Sequence, residues 1–238
     1  MIKKKKVLAI IPARSGSQRL KNKNIILFFK KPLIYWTIKS AINSRIIDEV
    51  VVTSDSKKIL DLSKRYGVNY LIKRSLKLSD SKADSWDVVR NTVLKLKKKI
   101  EFDYIVLLQI TSPLRTAFDI DKCLKIFSNS KVTGVVSVNN IRELSNWIFK
   151  ICNKNFYKYF KSRLKKNIIK NRFNNNLING AIYAFKKNEI YRKNFFYKKS
   201  VKIFKMKPQL SIDIDDKLDL YVAKKIILNS KNKNIFKY

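Results

Sequence analysis

IIPARSGSQRLKNKN, residues 10–24, decides how the rest of the chain is read. An apolar run at 7–11 stops at Pro12 and empties into a polar loop carrying Arg14, Ser15, Gly16, Ser17, Arg19, Lys21 and Lys23. A helical segment at 33–44 comes next. A buried strand opening into a small, cationic loop suits phosphate binding. Gly and Ser let the backbone approach a ligand, while N–H groups and guanidinium heads meet its oxygens. Gly16 is the single glycine of the loop, so neither the Walker A pattern nor the dinucleotide fingerprint is met. A solvated basic loop would carry the same residues, and the loop by itself does not choose between the two.

Outward from the loop, apolar strand-sized runs alternate with amphipathic segments. EVVVT at 49–53 reads as a second buried strand, with Ser54-Asp55-Ser56 capping a helix at 57–66 that Gly67 ends. A short third strand is expected at 69–72, and Ser81 or Asp84 opens a long helix. YIVLLQ at 104–109 is the fourth buried strand, TSPLRT at 111–116 a turn, and Asp119 the start of another helix. Further strands are expected at 133–138, 179–185 and 201–205, and Asp216 caps a last helix. The alternation predicts an α/β protein with a parallel, doubly wound sheet. Ligands of such sheets sit beyond the carboxyl ends of the strands. That puts the Arg14 loop, Ser54-Asp55 and the Gln109 turn on one rim.

With 238 residues and 45% hydrophobic composition, one sizeable core is expected, and no apolar stretch has transmembrane length. The start, MIKKKKVLAIIPAR, has the basic flank of a signal peptide. Its apolar part is short and runs straight into Arg14, so it reads as a first strand in a cytoplasmic protein. The two cysteines, Cys123 and Cys152, have no metal or redox spacing, and the absence of histidine excludes His-based zinc sites and His acid–base catalysis. A net charge of +37 taken at face value suggests nucleic-acid or anionic-membrane binding. The lysines run along the whole chain with many Asn and Ile, the mix an AT-rich coding sequence imposes. The expectation is therefore no specific nucleic-acid partner and no membrane insertion.

Asp213 and Asp215, two apart in the alternating SIDID at 211–215, fall on one face if that segment is a strand. Two carboxylates on one face suit Mg²⁺ bridging substrate phosphates, although helix-capping aspartates after a surface strand would look the same. QITSPLRT at 109–116 aims polar groups at the expected cleft, or is an ordinary turn around Pro113. Ser81, Asp84 and Ser85 read equally as caps, and Asn179-Gly180 as a turn. Residues 153–176, dense in Lys, Asn and aromatics, suit a projecting arm, a dimerisation element or a solvated insertion.

Taken in order, IIPARSGSQRLKNKNI, VVTSDS, YIVLLQITSPLRT, NGAIYAF and SIDIDDKLDL resemble the acylneuraminate cytidylyltransferases and related CMP-nonulosonic acid synthetases. The resemblance implies one Rossmann-like nucleotidyltransferase domain over 1–238, with a mostly parallel sheet and a small dimerisation insertion at 140–178. It implies a homodimer that transfers CMP from CTP to the anomeric hydroxyl of a sialic-type acid, with Mg²⁺, releasing pyrophosphate. By position, Arg14 and Lys23 match phosphate-loop cations beside Ser15 and Gly16, and Asn24 matches the asparagine that closes the loop. Asp84 and Ser85 fall in the cytidine segment. Gln109, Arg115 and Asn179 fall among sugar-acid contacts, Arg172 matches an arginine of the partner's arm, and Asp213 and Asp215 match the metal pair. Arg14 joins those two acids as the catalytic set. Ser17-Gln18-Arg19 replaces the family's Ser-Lys-Gly, so Arg19 is expected to supply the displaced cation. Ile110 stands where proline is usual, and NNNLI at 174–178 where arginines and a Leu-Pro step are usual. A synthetase acting on keto-deoxy-octulosonate, and a non-catalytic basic protein that binds polyanions, are the alternatives.

Overall fold

The computed structural model describes residues 5–17, 19–80, 83–140, 176–192 and 195–229. Ser81, Cys152, Arg172 and all of the 140–178 insertion apart from its ends lie outside them. Four apolar runs form the parallel half of a seven-stranded sheet: β1 (Val7–Pro12), β4 (Glu49–Ser54), β5 (Tyr70–Lys73) and β6 (Tyr104–Leu108). The rest comprises β7 (Gly134–Asn140), β8 (Asn176–Lys186) and β9 (Val201–Lys205). A two-residue pair, β2 (Leu27–Phe28) and β3 (Lys31–Pro32), stands apart as a small hairpin.

The strand order is β5-β4-β1-β6-β8-β7-β9. β8 alone runs antiparallel to its neighbours, so the sheet is mostly parallel, as expected. From β1 the chain winds outward through β4 and β5, then returns to place β6 on the other side of β1. The carboxyl ends of β1 and β6 therefore flank the switch point where such sheets bind ligands.

Both faces of the sheet are covered, which is why β1 and β6 are apolar throughout. In β1, Val7, Ala9 and Ile11 enter one core layer, and Leu8 and Ile10 the other. The first layer receives α1 (Leu33–Ile42), α2 (Lys57–Arg65), α4 (Ala117–Lys125) and α5 (Lys217–Asn229). The second receives α3 (Ser85–Leu96), through Val89, Val93 and Leu96, together with Phe185 and Phe195.

In α1 residues 33–38, Ser40 and Ala41 are all buried, more than one face of the helix, because α1 packs between the sheet, α2 and α4. α4 is capped by Thr116, with Asp119 completing the reciprocal capping box, rather than opening at Asp119. Among the described residues segment 211–215 joins no strand ladder, so its alternating pattern does not mark a strand. Among the described residues no helix is long and apolar enough to cross a membrane.

Candidate functional site

A cleft of about 250 Å³ opens at the carboxyl ends of β1, β5 and β6. Arg14, Lys23, Asn24, Arg74, Ser85 and Gln109 are among the residues that line it, as is Thr111. The loop after β1 is tied down along its length. The Ala13 N–H donates to the Thr53 carbonyl at 2.9 Å, and Asn24 Nδ2 donates to the Arg14 carbonyl at 2.7 Å. Asn24, 8% exposed, thus closes the loop as expected. Ser15 is held from β4: its N–H donates to Asp55 Oδ1 at 2.9 Å and its hydroxyl donates to the same carboxylate. These bonds outweigh the effect of burial and hold the Asp55 carboxyl below its usual range. Ser15 and Gly16 do not line the cleft.

The acidic segment reaches the same place from the far end of the chain. The Ile214 N–H donates to the Thr111 carbonyl at 2.7 Å, which pins residues 213–215 against the turn after β6. Asp219, in the first turn of α5, accepts from the N–H groups of Asp215 and Asp216 at 2.8 and 3.0 Å. Asp215 then takes both loop cations, Lys23 Nζ at 2.8 Å and Arg19 Nη1 at 2.9 Å. Residues separated by 192 and 196 positions therefore meet on one carboxylate.

The two acids differ electrostatically. The Lys23 hydrogen bond, with the charges of Lys23 and Arg19, holds the Asp215 carboxyl below its usual range despite partial burial. Asp213 goes the other way. Desolvation raises its pKa and Asp215 adds repulsion, more than offsetting the Thr111 hydroxyl and the Lys23 charge. Its side chain is nonetheless exposed, and Asp213, Asp215 and Arg19 stand outside the residues that line the cleft, joined to it through Lys23. This donor set of two carboxylates fits Mg²⁺, which is commonly held by one or two carboxylates plus substrate phosphates. Among the described residues no group of three or more His, Cys, Asp and Glu builds an all-protein metal cage.

Gln109 lies against Gly180, whose φ is +74° and where an added Cβ would stand 2.8 Å from Gln109 Oε1. Asn179 is buried beside them. Its Oδ1 accepts from the Ser137 hydroxyl at 2.6 Å and the Ala181 N–H at 3.1 Å, and its Nδ2 has no partner among the described residues.

Two expected site residues serve the scaffold instead. Arg115 is 1% exposed and braces β6 to β8 from behind the cleft. Its Nη1 donates to the carbonyls of Gln109 at 3.1 Å and Ala181 at 2.8 Å. Burial pulls its pKa down to about 9, partly offset by Asp119, so it remains a cation at neutral pH. Asp84 caps α3, accepting from the Trp86 N–H at 3.0 Å, and is absent from the cleft lining while its neighbour Ser85 is part of it. Arg74 is the residue the sequence reading missed. It follows β5, is 6% exposed, lines the cleft and has a buried Nε without a partner among the described residues. Burial lowers its pKa, against the pull of Asp55. Its signal was its place, a cation at the carboxyl end of the third parallel strand on the rim already identified.

The family model described as "Cytidylyltransferase" matches residues 8–236. An N-acylneuraminate cytidylyltransferase of Escherichia coli is 33% identical over 225 residues, 92% of this chain and 51% of the relative. The chain thus spans about half the length of that protein. A CMP-N,N'-diacetyllegionaminic acid synthase of Legionella pneumophila is 34% identical over 93% of this chain and 96% of its own length. A pseudaminic acid cytidylyltransferase of Campylobacter jejuni is 30% identical over 92% and 95%. A solved CMP:2-keto-3-deoxy-manno-octonic acid synthetase complexed with CTP superposes with a TM-score of 0.67, covering 94% of this chain and 98% of that one. At 17% identity that likeness shows the fold.

Proposed function

The chain belongs to the cytidylyltransferase family, and from that premise we propose that it transfers CMP from CTP to the anomeric hydroxyl of a nonulosonic acid, releasing pyrophosphate. The observation that carries this reading is the meeting of Arg19, Lys23 and Asp215 beside the cleft that Arg14 lines. A triphosphate needs cations for its leaving group and acids that hold a metal, close around one phosphorus. The full-length likeness to the legionaminic and pseudaminic acid enzymes favours a nonulosonic acid over an octulosonate.

In this reading the sugar acid's anomeric oxygen attacks the α-phosphorus of CTP and its proton passes to Asp213. That carboxylate, with its raised pKa, is a better acceptor than Asp215. The bond to the bridging oxygen breaks, and pyrophosphate departs toward Arg14, Arg19 and Lys23. Little covalent work is asked of the protein, since positioning and charge neutralisation dominate phosphoryl-type transfer. Asp213 and Asp215 would hold Mg²⁺, which when bound supplies positive charge to the phosphate oxygens. Ser85 and the buried Arg74 face the nucleoside end, and Gln109 and Asn179 face the sugar acid. The arm at 140–178, with Arg172, completes a homodimer in the cytoplasm. Leu177 and Ile178, 54% and 45% exposed at the start of β8, support a partner there.

The test is to incubate the protein with CTP, Mg²⁺ and a panel of sialic, legionaminic, pseudaminic and octulosonic acids while following pyrophosphate. Release with a nonulosonic acid is expected. Release with the octulosonate alone selects the sibling activity. Absence of release, together with steeply salt-dependent binding to any polyanion, selects a non-catalytic basic protein.

A further inference from the structure

The antiparallel ladder between β6 and β8 runs only as far as the Leu108–Ile182 pair. One residue further on, the carbonyls of Gln109 and Ala181 both accept from Arg115 Nη1, at 3.1 and 2.8 Å. β8 is irregular at the same level. Gly180 takes a φ of +74°, and the pairing of β7 with β8 shifts register between Val136 and Val138. From the β7 side Ser137 holds this stretch, its hydroxyl donating to Asn179 Oδ1 at 2.6 Å and accepting from the Ile182 N–H at 2.8 Å. We infer that Arg115 is a positioning residue for the second substrate: it fixes the gap between Gln109 and the Asn179-Gly180 step, and through that gap sets which sugar acid is accepted. This rests on the reading above, in which Gln109 and Asn179 face the sugar acid.

The argument is one of charge and reach. Arg115 is 1% exposed and does not line the cleft, so it acts through its neighbours and not on substrate. Asp119 acts on it through space, its own carboxylate accepting from the Thr116 N–H and hydroxyl at 2.9 and 2.7 Å. A buried cation without a paired carboxylate is costly, and an apolar brace would join two strands at less cost. An apolar side chain cannot satisfy two carbonyls that the ladder has released. Arg115 does so from one nitrogen of a rigid plane, so both strand ends must stay within reach of that atom. The gap so fixed is tight, since a Cβ on Gly180 would stand 2.8 Å from Gln109 Oε1. A small movement of either strand end therefore changes what fits beside Gln109.

The test reads the two substrates separately. Arg115→Lys keeps the charge but loses the planar fork, and Arg115→Met keeps an unbranched chain but loses every donor. Calorimetry measures CTP affinity in Mg²⁺, and pyrophosphate release gives KM for each acid of the panel above. Arg115→Met should raise KM for the preferred nonulosonic acid about tenfold or more, the scale of a buried hydrogen bond left unmade, and narrow the preference among acids. Arg115→Lys should fall between that variant and the native protein. CTP affinity should stay within about twofold in both, as for sites that share no partners. Val93→Ala, at a fully buried position in α3, lowers stability without touching the gap and should leave KM for the acid unchanged. A KM that rises as much in Val93→Ala as in Arg115→Met would make general loosening the cause and overturn the proposal. Arg115 variants that lose melting temperature with KM and preference intact would overturn it too, as would CTP affinity that weakens in step. A native protein that releases pyrophosphate with no acid of the panel would overturn the proposed reaction itself, and this inference with it.

Discussion

Two aspartates two positions apart sit in opposite electrostatic surroundings, so equivalent substitutions should act differently. Asp213 is desolvated and carries the raised pKa of a proton acceptor. Asp213→Asn should lower turnover by about 10²–10⁴-fold, the usual contribution of a positioned base, with melting temperature and circular dichroism unchanged. Near-normal CMP-sugar formation would remove Asp213 from that role. Gly180 acts through Gln109. Its φ of +74° disfavours any side chain, and a Cβ there would press on Gln109 Oε1 at 2.8 Å. Gly180→Ala should cost about 1–2 kcal/mol of backbone strain. It should also raise KM for the sugar acid more than KM for CTP, as two-substrate steady-state kinetics would show. Arg14 and Gln109 were legible because each stands just past the end of an apolar strand, and Lys23 and Asn24 because they belong to the loop that Arg14 opens. Arg115 and Asp84 misled because a brace, a cap and a ligand contact draw on the same residue types. The Ser15–Asp55 pair, 40 positions apart, has no local pattern to betray it.

At the scale of elements, the parallel half of the sheet was legible because strands covered on both faces must be apolar throughout. The antiparallel β8 was half seen: its apolar NGAIYAF was read, but its first residues, including exposed Leu177 and Ile178, carry no burial signal. The SIDID segment shows the opposite failure. Alternation reports which side chains face inward, and Ile214 is fully buried, but a ladder needs a neighbouring strand and none is there. β7 depends on a glycine whose role lies in packing. At Gly134 an added Cβ would stand 2.2 Å from the Phe185 ring. That ring packs in turn on Trp86 and Phe195 with centroids at 5.4 and 4.9 Å. Gly134→Ala must displace this aromatic cluster and should destabilise by about 1–3 kcal/mol, as overpacking does. Urea unfolding followed by tryptophan fluorescence would detect both the loss and the altered surroundings of Trp86.

Over the whole molecule, a net charge of +37 on 238 residues acts on the fold and on the reaction with opposite signs. Self-repulsion among lysines opposes compaction, and added salt screens it over a Debye length of about 10 Å at 0.1 M and about 3 Å at 1 M. The substrates in the proposed reaction are anions, and the same field that strains the fold draws CTP toward the cleft and speeds its capture. Raising monovalent salt from low to high concentration should therefore raise the melting temperature while lowering kcat/KM for CTP, with kcat nearly constant because Arg14 and Lys23, two of the cations assigned to the phosphates, line the cleft. Scanning calorimetry and initial rates across one salt series would measure both trends. A melting temperature that falls in parallel with kcat/KM would mean that surface ion pairs such as Lys5–Asp103, at 2.9 Å, outweigh the excess positive charge, and that lysine repulsion is not the dominant global term.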